Sequence, residues 1–222
     1  MKKRNLILSA ICFLTTTYSY AEGTLDNTKS FFSNVNYTVS VGLGTRTSNE
    51  PFDNAKFGFT LGIDAKKDIK SYVNDKVDVY GLAGLHFVQK GGKQSNDFMN
   101  MGATGNSFNV PQLSIPLHAG GAYNFNKCQL YLDLGPYFAF GLGGTDLEGL
   151  QTKVFDFGLG FNLGIKFKKR FGLSMGVDKG FTKIAEYEVT DENNATGSLT
   201  TGDKYTLKGM AAYFRLNWTF GK

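Results

Sequence analysis

From residue 34 onward the chain alternates between large apolar residues and small or polar ones. Leu130, Leu132, Leu134, Pro136, Phe138, Phe140 and Leu142 take every second position, and Gln129, Tyr131, Asp133, Gly135, Tyr137, Ala139 and Gly141 fill those between. A period of two is the mark of a β-strand whose two faces meet different surroundings. The next run repeats it, with Phe155, Phe157, Leu159, Phe161, Leu163, Ile165 and Phe167 set against Asp156, Gly158, Gly160, Asn162, Gly164 and Lys166. Six further runs fit, at 34–46, 55–66, 76–90, 109–125, 171–182 and 207–220. The pattern therefore predicts eight strands of about 12 to 17 residues, against roughly 5 to 6 in ordinary soluble sheets. A tilted strand needs roughly 9 to 11 residues to cross the hydrocarbon of a membrane, so these are long enough.

The connections alternate too. Those at 47–54, 91–108, 143–152 and 183–206 hold 8, 18, 10 and 24 residues, whereas Asn126-Lys127 and 168–170 are tight turns. Long loops at one end and short turns at the other are the asymmetry of an outer-membrane barrel. The 9-residue connection at 67–75 falls on the turn side and fits least well.

Residue size decides which face is inside. The polar face carries Gly42, Gly44, Gly58, Gly62, Gly84, Gly120, Gly135, Gly141, Gly158, Gly160, Gly164, Gly172 and Gly176, and the apolar face carries most of the Phe and Leu. An eight-stranded barrel has an interior just wide enough for side chains to fill, so large lumen residues need small ones between them. Glycine on a solvent-facing outer surface would only weaken the strands. The expected fold is therefore all-β, a closed eight-stranded antiparallel up-and-down transmembrane β-barrel with its apolar face toward lipid. Two prolines interrupt it. If Asn126-Lys127 is a two-residue turn, Pro116 faces Tyr137 and Pro136 faces Leu117, which predicts one local break or bulge shared by the fourth and fifth strands.

Composition looks at first like that of a basic protein, with 24 Lys and Arg against 19 Asp and Glu. Residues 1–21 change that picture. Lys2, Lys3 and Arg4 precede an apolar run from Leu6 to Leu14 and a small-residue end at Ser19-Tyr20-Ala21, the three parts of a secretory signal peptide cleaved after Ala21. Its removal leaves 21 basic against 19 acidic residues, a net charge of +2, and no case for a nucleic-acid partner. The expected organisation is a cleaved signal peptide at 1–21, a short lead at 22–33 and a barrel domain at 34–222. Cys128 is then the one remaining cysteine, which rules out an internal disulfide.

Leu113-Ser114-Ile115-Pro116-Leu117, the Asn126-Lys127 turn and Leu130-Tyr131-Leu132-Asp133-Leu134-Gly135-Pro136-Tyr137 resemble the PorT-like, OmpX-like family of outer-membrane β-barrels common in Bacteroidota. That family repeats a strand with "IPL", a short turn and a strand with "GPY". The specific resemblance covers about 30 residues, and the architectural one the whole mature chain. The last strand, with Phe214, Trp218 and Phe220 on one face, looks like the aromatic-ended segment read by barrel-insertion machinery, although Gly221 and Lys222 follow the final aromatic. The resemblance implies a Gram-negative outer-membrane location, with membrane lipid and the insertion machinery as partners and an accessory role in secretion as an alternative.

Candidate chemistry lies mostly in the lumen. Asp64, Asp78, Asp133, Asp156 and Asp178 face it with Lys56, Lys166 and Arg215, and charges packed there are expected to pair in a structural ion-pair and hydrogen-bond network. The hairpin register sets His118 diagonally from Asp133, a pair read as structural because no serine or cysteine nucleophile accompanies it. His86, near the loop end of its strand, is a candidate for a surface site, though one histidine makes no metal set. Gly158, Gly160 and Gly164 miss the dinucleotide spacing and lie in a strand with no helix after it. Asp191-Glu192-Asn193-Asn194 lacks calcium-loop spacing and reads as a solvated acidic loop. No catalytic, cofactor or metal set is expected.

The expected function is that of a non-enzymatic outer-membrane barrel acting through its surface loops, above all 91–108 and 183–206, on a partner the sequence does not name. The rivals are the secretion accessory, an enzyme modifying outer-membrane lipid, and a soluble lipocalin-like binder.

Overall fold

A computed structural model describes residues 35–49, 52–72, 76–93, 107–144, 150–168, 170–188, 202 and 204–220. The expected signal peptide and lead lie outside the described residues, as does Asp191-Glu192-Asn193-Asn194. Among the described residues there are eleven strands: β1 (Val35–Ser48), β2 (Lys56–Tyr72), β3 (Val77–Lys93), β4 (Ser107–Asn124), β5 (Cys128–Gly141), β6 (Leu150–Thr152), β7 (Phe155–Phe167), β8 (Phe171–Gly180), β9 (Ala185–Glu188), β10 (Lys204–Leu207) and β11 (Gly209–Phe220). Eight of them close a barrel in the order β1-β11-β8-β7-β5-β4-β3-β2, each antiparallel to its neighbours, so the expected eight-stranded barrel is the observed one.

Closure joins the first and last barrel strands, with Tyr37 opposite Phe220 and Ser48 opposite Gly209. Among the described residues the barrel's own sheet has no open edge, as a membrane span requires. Inward residues alternate with exposed apolar ones throughout: along β11, Ala211, Tyr213, Arg215 and Asn217 are buried while Met210, Phe214, Leu216, Trp218 and Phe220 are exposed. This is the inverse of a lipocalin, whose large apolar residues point inward.

The β4–β5 hairpin has the register read from its turn, with Pro116 opposite Tyr137. Pairing lapses at Leu117 and His118 and resumes at Ala119 opposite Leu134 without a shift. The prolines therefore cause a break and no bulge, because each removes a donor at the same level of the ladder. The awkward connection at 67–75 has a different explanation. β2 continues to Tyr72 and pairs with β3 through an irregularity between Asp68 and Lys70, so only 73–76 separate the two strands. The further length of β2, which passes one irregularity in the ladder, is what leaves a short turn. β3 and β4 likewise pair beyond their expected ends, to Lys93 opposite Ser107.

The loop end holds the structure's apolar core. β6, β9 and β10 form a three-stranded sheet in the order β10-β9-β6, which the alternation pattern left inside loops. Phe52, Phe108, Val110, Ile184, Ala185, Tyr187 and Leu207 are buried together there, with the Phe52 ring edge-on to Phe108 at 5.0 Å and to Tyr187 at 5.3 Å. Phe108 and Val110 belong to the inward face of β4, so this cluster caps the barrel mouth.

Candidate functional site

Beneath the cap the lumen is filled by a polar network. Large residues fit because glycine stands opposite them: Tyr137 faces Gly158, Tyr131 faces Gly164, Tyr213 faces Gly176 and Tyr80 faces Gly120. A methyl group added at any of these glycines would meet the facing tyrosine ring at less than ordinary contact distance.

Nearest the cap, Lys90 Nζ donates to Asp156 Oδ2 at 2.7 Å, and the two side chains are 1% and 0% exposed. Lys90 also donates to the Tyr137 hydroxyl. Tyr137 OH and Thr182 Oγ1 donate to the two oxygens of Asp156 at 3.1 and 2.8 Å. A buried ion pair is tolerable only when its remaining hydrogen-bonding capacity is met in this way. The cap completes the enclosure, since Ile184 and the Lys90 stem both border Gly209.

Deeper in, His118 Nδ1 lies 2.8 Å from Asp133 Oδ1, while Tyr80 OH donates to Asp133 Oδ2 at 3.0 Å. Asp178 accepts from Tyr213 OH at 3.0 Å. Arg215 stacks on the Tyr213 ring at 3.7 Å and donates to Thr60 Oγ1 at 3.2 Å. Lys166, 5.9 Å from the Tyr131 ring centre, is buried near the turn end. Among the described residues these two cations therefore meet tyrosine faces and not carboxylates. Asp78 is half-buried and accepts from Asn124 Nδ2 at 2.6 Å and Gln129 Nε2 at 3.4 Å.

Two placements differ from expectation. His86 is buried in the lumen with Nε2 2.7 Å from Asp64 Oδ1, because its position on β3 has inward parity. It is not at the surface. Lys56 is exposed at the loop end of β2 and donates to Ser107 Oγ at 2.6 Å. The charge pattern also missed Lys90, which shares inward parity with His86 and was legible on that ground.

Among the described residues neither histidine–aspartate pair has a serine or cysteine hydrogen-bonded to its ring. Ser40 and His86 both border Gly62, and Ser40 Oγ makes no hydrogen bond among the described residues. His118 Nε2 abuts Gly160 and has no partner there. Among the described residues no three His, Cys, Asp or Glu gather as a metal set. A void of about 40 Å³ lies toward the turn end beside Tyr80, Asp133, Lys166 and Arg215.

Phe214, Trp218 and Phe220 lie on the outward face of β11, with Trp218 edge-on to Phe171 at 4.9 Å.

Residues 25–186 match the family model described as "Outer membrane protein beta-barrel domain". Comparison with the curated proteins finds no match. Among solved structures, the chain is similar to OprG from Pseudomonas aeruginosa at 14% identity, covering 84% of this chain and 96% of that one, with a TM-score of 0.46. It is similar to Ail of Yersinia pestis, solved in complex with the heparin analogue sucrose octasulfate, at 12% identity over 84% and 99% of the two chains, with a TM-score of 0.41. The outer membrane enzyme PagL matches at 14% identity over 84% and 99%, also with a TM-score of 0.41.

Proposed function

We propose, from the premise that the chain belongs to the outer membrane protein beta-barrel domain family, that it is a non-conducting, non-enzymatic scaffold that displays a folded cap at the cell surface. The observation that carries this reading is the cap itself: Phe52, Phe108, Val110, Ile184, Tyr187 and Leu207 close the mouth over a lumen already filled by side chains. A wide aqueous path has no room in such a barrel. The histidines sit beneath the cap, away from any lipid at the outer rim, which favours a structural role for them over catalysis on lipid. The cap sheet and the segments at 91–108 and 183–206 are the surfaces on which a partner would act. In this reading Met1–Ala21 directs export, and Phe214, Trp218 and Phe220 present the signal for barrel insertion.

Two measurements test it. Planar-bilayer recording of the refolded protein should show no stable channel, and lipid A from a deletion strain should match that of its parent by mass spectrometry. A steady conductance would turn the reading toward a pore. Altered acylation or phosphorylation, restored by complementation, would turn it toward an enzyme.

A further inference from the structure

Lys179 is a charge set in the lipid-facing belt. It lies on the outward face of β8 between Val177 and Phe181, and its cross-strand partners are Leu159 on β7 and Met210 on β11. All four neighbours are apolar, and its ammonium makes no ion pair among the described residues. A lipid-facing lysine is costly at depth, and its stem relieves the cost by carrying the ammonium toward the headgroup layer. Exposed Lys208, two residues ahead of Met210, brings a second cation near the same rim.

On the turn side of Lys179 the outer wall is indented. Thr45, Val177 and Ala212 are smaller than the surrounding Leu43, Met175 and Phe214, and a groove of about 390 Å³ opens among them. Resting on the outer-membrane reading above, we propose that Lys179, Lys208 and this groove form a site for one molecule of lipid A in the loop-side leaflet. Its phosphate meets the two ammonium groups, and an acyl chain lies in the groove. Charge favours lipid A over a phospholipid: a phosphomonoester carries about −1.5 to −2 at neutral pH, which suits two cations, whereas a phosphodiester carries a single charge.

The test is native mass spectrometry of the refolded full-length barrel with lipid A, dephosphorylated lipid A or phosphatidylglycerol. The wild type should retain one lipid A in preference to the other two. Lys179→Gln should lower that retention roughly tenfold, as expected for loss of one charge-assisted contact. Lys179→Arg should keep most of it. Ala212→Phe, which fills the groove, should lower it without touching either lysine. Folding of each variant is checked by heat-modifiable gel migration, since all these positions face outward. Equal retention by wild type, Lys179→Gln and Ala212→Phe would overturn the site, as would equal retention of lipid A and its dephosphorylated form. Preference for phosphatidylglycerol would overturn the choice of lipid A. If the wild type itself shows no heat-modifiable barrel, the membrane reading falls and this inference with it.

Discussion

The ring of Tyr213 occupies the space that a side chain at Gly176 would need, directly across the β11–β8 ladder. The clash of an added methyl group is with that ring alone among its three nearest atoms, so it is specific to the pair. Gly176→Ala should therefore destabilise the barrel by about 1–3 kcal/mol through overpacking. Tyr213→Leu should also cost stability, because Asp178 loses its hydroxyl donor and Arg215 its ring. Combined, the two should cost less than their sum by about 1 kcal/mol or more, since the residues touch. Urea unfolding in lipid vesicles, followed through the single Trp218, measures all three; strict additivity would mean that the ring does not fill this space.

Lys90 and Asp156 make the most enclosed ion pair of the lumen. Lys90→Met leaves a buried carboxylate with, among the described residues, Tyr137 and Thr182 as its side-chain donors, and should cost about 3–5 kcal/mol in the same unfolding experiment. Replacing both partners, Lys90→Met with Asp156→Leu, should cost less than the single change, because no uncompensated charge remains. A double variant less stable than Lys90→Met would show that the pair contributes more than relief of its own burial.

The barrel was legible because its strands separate two unlike surroundings, and a period of two records that separation residue by residue. The β4–β5 register followed from Asn126-Lys127 alone, since a two-residue turn leaves no freedom in the pairing. What was not legible depends on contacts remote in sequence. β6 and β9 are three and four residues long and pair Leu150 with Tyr187, so neither carries enough alternation to be seen alone. The end of β2 was obscured by charge: Lys67, Asp68 and Lys70 read as loop, although the turn end of a membrane strand lies in water and tolerates them. In the lumen the carboxylates were found from their parity, but Asp133, Asp156 and Asp178 each accept from a tyrosine hydroxyl and Arg215 meets a tyrosine ring, contacts that a search for opposite charges passes over.

Leu134 tests the facing of the whole barrel. It is 55% exposed on β5 between Gly135 and the inward, fully buried Asp133. Leu134→Arg should cost about 2–4 kcal/mol in a bilayer if the residue lies near the midplane. The same variant in detergent micelles, where the belt is thinner and more yielding, should lose less. Stability unchanged in both would mean that the exposed apolar face does not meet lipid.

The cap should respond to acid through Glu186. Hydrogen bonds from Lys183 and Lys153, at 2.8 and 2.9 Å, hold this carboxyl down to about 2 from an ordinary value of 4.5. A carboxyl whose folded pKa is depressed contributes fully above its unfolded value and loses that contribution as pH falls toward the folded one. The window is therefore about pH 4.5 down to 2. Within it β9 should loosen from β6 and β10, since Glu186 pairs with Gln151 and Thr206 across those ladders. Amide exchange of Glu186 and Tyr187, corrected for intrinsic rates, should show protection falling across this range, while amides of the β4–β5 hairpin keep theirs. Glu186→Gln should remove most of the pH dependence. Protection that holds equally at pH 6 and pH 2.5 in the unsubstituted protein would show that the cap is fixed by its apolar cluster and owes nothing measurable to Lys153 and Lys183.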